Sequence, residues 1–290
     1  MLNRVLAFVS ALALAGAAAG HAGVGTPIGR DVLRFVDHTR TARFRNGATA
    51  PRTLVTYVRY PEGGQGPYPL IVFGHGFAVT PALYARLLDA WARAGYVVAA
   101  PVFPVENANA PGGPDESDLS NQPADMSFVI TQLLAANRGL GPLHGLVDPA
   151  HIAVAGQSDG GETALAVAYD RRFLDRRVDA AVILSGARIP GGRMAFRAGS
   201  PPLLATQGTA DAINPPSYTT QFFDVASRPK FLLWLRGASH LPPYSTDLAQ
   251  LAVVERVTIA FLDHYLRGGP LKTLLAAGRP TALARLVADP

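Results

Sequence analysis

Residues 151–165 read His-Ile-Ala-Val-Ala-Gly-Gln-Ser-Asp-Gly-Gly-Glu-Thr-Ala-Leu, and no other stretch restricts the fold of this chain as tightly. An apolar run with β-branched residues, Ile152 to Ala155, meets Gly156-Gln157-Ser158-Asp159-Gly160 and passes directly into a segment of good helix formers. A G-x-S-x-G pentad between strand and helix predicts a sharp turn that lifts its serine out at the end of the strand. Glycines flank that serine because the two backbones approach too closely for a Cβ. Ser158 is therefore the candidate nucleophile.

The segments on either side place that turn in a sheet. Residues 32–40 and 54–60 are β-rich runs separated by Asn46-Gly47, the pattern of an antiparallel pair at a sheet edge. Leu70-Ile71-Val72-Phe73 is continuously apolar, as expected of a parallel strand buried on both faces. Helices are expected at 81–94, 122–137, 163–169, 218–226 and 248–266, and further strands at 97–100, 152–155, 178–184, 203–206 and 231–235. Such alternation predicts one α/β domain over residues 23–290, a mostly parallel doubly wound sheet with an antiparallel N-terminal edge. The connection 186–201 carries no helical pattern, so no lid domain is expected there and the site is expected to be open. The connection 106–123 is long for a loop and follows a strand at the edge where ligands bind in such sheets, which makes it functional or mobile. Its acids Asp115, Glu116 and Asp118 read as a solvated loop in preference to a cation site, because a hard cation needs more converging oxygens.

A serine hydroxyl needs a base within hydrogen-bond reach and a carboxylate that fixes the base's tautomer. Gly208-Thr209-Ala210-Asp211 follows the strand at 203–206, and Gly237-Ala238-Ser239-His240 follows the strand at 231–235. Both segments leave their strands at the edge from which Ser158 leaves its own, so Asp211 and His240 are the candidate acid and base. Asp170, Asp175 and Asp179 fall at the end of the turn's helix or before the next strand, and structural roles suit His38, His144, His151 and His264. A tetrahedral intermediate also requires preset donors for its oxyanion. The backbone N–H of Asp159 is one candidate, and that of Phe77, in the tight loop Gly74-His75-Gly76-Phe77, is the other, with His75 buttressing the loop. Asp159 admits two further readings, a carboxylate that raises the pKa of His240 or a cap on the helix that follows. Phe77, Gln157, Ile213 and Leu241 adjoin these residues in sequence and are the candidate substrate contacts.

Together, Gly74-His75-Gly76-Phe77, Gly156-Gln157-Ser158-Asp159-Gly160-Gly161, Gly208-Thr209-Ala210-Asp211 and Gly237-Ala238-Ser239-His240 resemble the α/β-hydrolase superfamily. The order Ser158, Asp211, His240 along the chain is that superfamily's order. The likeness spans roughly residues 50–268 and points to a branch of secreted bacterial esterases. That branch includes cutinase-like polyester hydrolases, chlorophyllase-like proteins and dienelactone-hydrolase-like proteins. It implies a serine carboxylic-ester hydrolase that works through an acyl-enzyme, acting on a small or polymeric ester, with no cofactor and no metal. The alternatives are an acyltransferase with the same triad and a non-catalytic binding protein of the same fold.

Composition limits the setting. A net charge of +5 arises from scattered arginines with no basic block, so a nucleic-acid partner is not expected. Met1 to Arg4, the apolar run Val5 to Ala15 and the small residues ending at Ala22 form the pattern of a signal peptide over residues 1–22, which implies secretion. The apolar run is too short to span a bilayer, so no stable membrane anchor is expected, and a monomer is expected. With 0 cysteines the mature chain must hold together by packing alone.

Overall fold

The computed structural model describes residues 26–64 and 66–290, and the expected leader at 1–22 lies outside the described residues. In chain order the elements are β1 (Ile28–Arg43), β2 (Thr49–Pro61), β3 (Tyr68–Gly74), α1 (Ala85–Arg93), β4 (Val97–Pro101), α2 (Gln122–Arg138), β5 (Val147–Gln157), α3 (Asp159–Tyr169), β6 (Ala180–Leu184), β7 (Leu203–Gly208), α4 (Pro216–Phe223), β8 (Lys230–Leu235), α5 (Leu248–Arg267), α6 (Leu271–Ala277) and β9 (Ala284–Asp289).

Among the described residues, nine strands form one sheet in the order β1-β2-β4-β3-β5-β6-β7-β8-β9. The six strands from β4 to β8 in that order run parallel, and β1 and β2 form an antiparallel pair that joins β4. Asn46-Gly47 sits in the turn between β1 and β2, where Gly47 has a φ of 85° that suits glycine. The chain winds from β3 outward to β4, then returns to the other side of β3 as β5. The carboxyl ends of β3 and β5 therefore flank the switch point of the sheet, where open α/β sheets bind ligands.

Side chains alternate across the sheet and build two cores. Ile71, Phe73, Ala153 and Ala155 face one side, against Trp91 of α1 and Val254 and Phe261 of α5. Leu70, Val72, Ile152 and Val154 face the other, against Met126 and Ile130 of α2, Leu165 of α3 and Phe222 of α4. Trp91 packs edge-on to Phe73, and its buried N–H donates to Thr258 Oγ1 at 2.9 Å, which links α1 to α5. Every residue of α3 is buried, as expected of a helix without a polar face.

The structure departs from the sequence expectations in three places. The helix expected at 81–94 begins as a 3-10 turn over Pro81–Tyr84 and becomes α-helical only at Ala85. The C-terminal segment adds α6 and β9, and β9 pairs antiparallel with β8, so the sheet has an antiparallel strand at its C-terminal edge as well. The acids of the long connection after β4 divide: Asp115 and Glu116 reach solvent as expected, but Asp118 does not. Asp118 is buried and accepts both terminal nitrogens of Arg52 at 2.8 and 2.7 Å, and Arg52 also holds Asp125. The backbone bond from Ala78 N–H to Glu106 O at 2.9 Å ties the same loop to the segment after β3, and Asp115 N–H to Val105 O at 3.0 Å closes the loop on itself. Between β6 and β7 no helix intervenes, so no lid is built there.

Candidate active site

The turn between β5 and α3 is tight because three glycines meet. A Cβ on Gly156 or Gly160 would overlap the carbonyl groups of Gly160 and Gly74 respectively, and one on Gly74 would stand 2.8 Å from Gly160 Cα. Ser158 takes φ 55° and ψ −124°, a strained conformation for a residue with a side chain, costing roughly 1–3 kcal/mol. Its N–H bonds to Leu184 O at 3.0 Å and its carbonyl accepts from Glu162 N–H at 2.9 Å, so the strained backbone is held from both β6 and α3.

Three side chains converge there from the ends of three strands. His240 Nε2 lies 2.9 Å from Ser158 Oγ, and His240 Nδ1 lies 2.8 Å from Asp211 Oδ2. Asp211 Oδ1 accepts from the N–H groups of Ile213 (3.0 Å) and Asn214 (2.9 Å), which aims the other carboxylate oxygen at the imidazole. Burial alone would raise the Asp211 carboxyl, but the His240 bond and those two amides outweigh it and hold the group below the usual range. With Asp211 ionised, His240 carries its proton on Nδ1 and turns the Nε2 lone pair toward the serine hydroxyl. The arrangement can therefore take a proton from Ser158 as the serine attacks.

The backbone N–H groups of Phe77 and Asp159, expected as oxyanion donors, have no hydrogen-bond partner among the described residues. The Phe77 loop is fixed from behind. His75 is fully buried, its Nε2 accepts from Phe103 N–H at 3.0 Å, and its Nδ1 faces Gly76 O at 2.8 Å. Burial pushes its pKa down to about 4, so the ring is neutral and serves as a brace. Gly76 packs on Ser158, where a Cβ would come within 3.2 Å of the serine Cβ.

The candidate substrate contacts divide. Phe77 (38 % exposed) and Ile213 (69 % exposed) present apolar surface near the triad, and Leu241 is partly buried beside it. Gln157 is corrected: it is buried, and its amide is occupied by the His240 carbonyl oxygen at 3.2 Å and the Tyr84 hydroxyl at 2.7 Å. It positions the base and does not face a substrate. Most of the other histidines and aspartates have local partners: His144 meets Gly139 O, His151 meets Asp148, His264 meets Gly269 O, and Asp179 accepts from Ile152 N–H.

Asp159 is neither an N-cap nor unburdened. The cap position is Ser158, and Asp159 is the first residue of α3. Its Oδ1 accepts a long bond from Ser158 Oγ (3.4 Å), whereas its Oδ2 is buried without a partner. Burial, then the charge of Glu116, raise its pKa to about 6. Glu106 and Glu162, which sequence reading did not single out, stand with it. Burial followed by the charge of Asp159 lifts Glu106 to about 9 and Glu162 to about 8.

Comparison with known proteins fixes the family. The chlorophyllase family model matches residues 36–207, more than half of the sequence. The chain belongs to the chlorophyllase family. Its membership of the α/β-hydrolase superfamily follows, and it is an esterase-type hydrolase of carboxylic esters. No curated protein sequence matches this chlorophyllase-family protein. A solved ferulic acid esterase from Streptomyces cinnamoneus is 23% identical, with a TM-score of 0.70 over 89% of this chain and 95% of that one, and shares its fold.

Proposed function

We propose that this chlorophyllase-family protein is a secreted serine esterase that cleaves carboxylic esters through an acyl-enzyme on Ser158. The observation that carries this reading is the unbroken relay from Asp211 through His240 to Ser158, with both bonds under 3 Å. Ser158 Oγ attacks the ester carbonyl while His240 Nε2 takes its proton, and the imidazolium is stabilised by Asp211. The amides of Phe77 and Asp159 hold the oxyanion of the tetrahedral intermediate. Collapse breaks the bond to the alcohol, which leaves with the proton from His240. Water, deprotonated by the same base, then attacks the acyl-serine and releases the acid.

An open site with Phe77, Ile213 and Leu241 at its rim supports short to medium acyl esters, and an extended polyester chain can reach the same rim. Secretion rests on the leader pattern of residues 1–22. Among the described residues no helix is long and apolar enough to cross a membrane. The test is a series of nitrophenyl esters of increasing acyl length, run beside a polyester film and beside a reaction with an added alcohol acceptor. Hydrolysis that peaks at short or medium chains and is lost in Ser158→Ala supports the reading. Preferential transfer to the acceptor favours an acyltransferase, and full activity in Ser158→Ala removes the proposed mechanism.

A further inference from the structure

This fold pairs its buried acids with care, except at one place. Among the described residues the buried acids are Asp37, Glu106, Asp118, Asp125, Asp159, Glu162, Asp170 and Asp211. Asp37 pairs with Arg40, Asp118 and Asp125 with Arg52, Asp170 with Arg172, and Asp211 with His240. Glu106, Asp159 and Glu162 have neither an arginine nor a histidine in salt-bridge contact, and all three stand at the turn that carries Ser158. Glu106 is fully buried with the Gln122 side chain and Asp159 as its polar neighbours and no cation in contact, and Asp159 is 6 % exposed beside it. Glu162, 8 % exposed, makes no side-chain hydrogen bond and faces an open groove.

That groove, of about 470 Å³, is lined by Glu116, Leu119, Glu162, Ile189, Tyr218 and Gln221. Arg188 also borders it, with its guanidinium directed at Gln221 Oε1 (3.4 Å). Glu162, on the wall of the groove, is tied to the nucleophile: its N–H bonds to the Ser158 carbonyl, one helical turn away, roughly 6 Å along the axis. Among the described residues neither Glu162 nor Glu116 is in salt-bridge contact with a cation; the N-terminus of α3 supplies about half a positive charge, and the Arg188 guanidinium is turned to Gln221. No group of three or more His, Asp or Glu side chains among the described residues is placed to hold a metal ion.

We propose that this groove is a subsite for an organic cation: an ester bearing an ammonium group in its acyl or alcohol part seats that charge against Glu162 and Glu116, with the Tyr218 ring alongside. Its carbonyl then lies at Ser158, so the proposal rests on the esterase reading above. An exposed tyrosine face attracts a quaternary ammonium, and the carboxyls supply the longer-range attraction. An ester with a carboxylate at the same distance is repelled.

The test compares butyrylcholine with its uncharged isostere, 3,3-dimethylbutyl butyrate, at pH 8. The expected result is a kcat/KM at least about tenfold higher for the cationic ester. Glu162→Gln brings that ratio to near one, and Glu116→Gln lowers it part-way. A ratio of one or less in the unmodified protein, or a ratio that Glu162→Gln leaves unchanged, overturns the proposal. Calorimetric titration of Ser158→Ala with the same two esters reads binding without turnover. Tighter binding of butyrylcholine supports the subsite, even if neither ester is hydrolysed and the esterase reading fails; equal binding overturns it. Equal hydrolysis of both esters removes the subsite and leaves the esterase reading standing.

Discussion

Gln157 donates its side-chain amide to the carbonyl oxygen of His240 at 3.2 Å and stands at the same distance from the ring Nε2. The residue before the nucleophile thus holds the base, while its own oxygen is anchored by the Tyr84 hydroxyl at 2.7 Å. Gln157→Leu keeps the volume and removes all three contacts. It strands a buried tyrosine hydroxyl, at roughly 1–3 kcal/mol of stability. Because the imidazole loses a support, kcat is expected to fall roughly 10- to 100-fold with little change in KM, as measured by steady-state kinetics on a nitrophenyl ester. An unchanged kcat shows that Asp211 alone suffices to orient His240.

Arg52, 1 % exposed, grips Asp118 with two nitrogens and also holds Asp125, and so fastens the long connection after β4 to strand β2. Arg52→Ala leaves Asp118 buried without its cation, while Asp125 keeps Arg40 at 2.8 Å. Removing one partner of a buried ion pair costs roughly 3–5 kcal/mol. For a domain of this size that corresponds to a fall of roughly 10 °C in Tm, read by thermal unfolding. A loss of a degree or two indicates that the loop holds its place by packing alone.

These two cases show what the sequence discloses and what it conceals. Ser158, Asp211 and His240 were legible because each directly follows an apolar strand, and strand ends on one side of a parallel sheet must meet at one rim. The strands from β3 to β8 were legible for the same reason, as continuous apolar runs between helical patterns. Arg52 and Asp118 are 66 positions apart and carry no local pattern, so only the packed fold joins them. Gln157 was read as facing substrate because adjacency to Ser158 says nothing about the face a side chain takes; at the end of β5 it points toward Tyr84. The burial of Glu106 and Glu162 was hidden likewise, since acids normally signal exposed surface. The strand β9 escaped because Gly268-Gly269-Pro270 reads as a terminus, although Ala284, Leu286 and Ala288 do alternate with Arg285, Val287 and Asp289.

Glu106 gives the fold a pH dependence of definite sign. Its ordinary pKa of 4.5 is raised by burial and by the charge of Asp159 to about 9. An acid raised in this way stabilises the folded state below its unfolded pKa, and that contribution is lost as pH rises through the folded value, because the unfolded chain ionises first. Glu162, raised to about 8, acts in the same direction. Tm is therefore expected to fall between about pH 5 and about pH 9, and Glu106→Gln, which is neutral throughout, flattens part of that fall. A variant whose Tm follows the unmodified protein in parallel across this range contradicts a protonated Glu106.

Labelling with a fluorophosphonate followed by intact mass and peptide mapping reads the nucleophile without reference to any substrate. One adduct per chain on Ser158 is expected, strongly slowed in His240→Ala and Asp211→Asn and absent in Ser158→Ala. Ester hydrolysis that persists without an adduct, or with the adduct on another residue, contradicts the mechanism at its base.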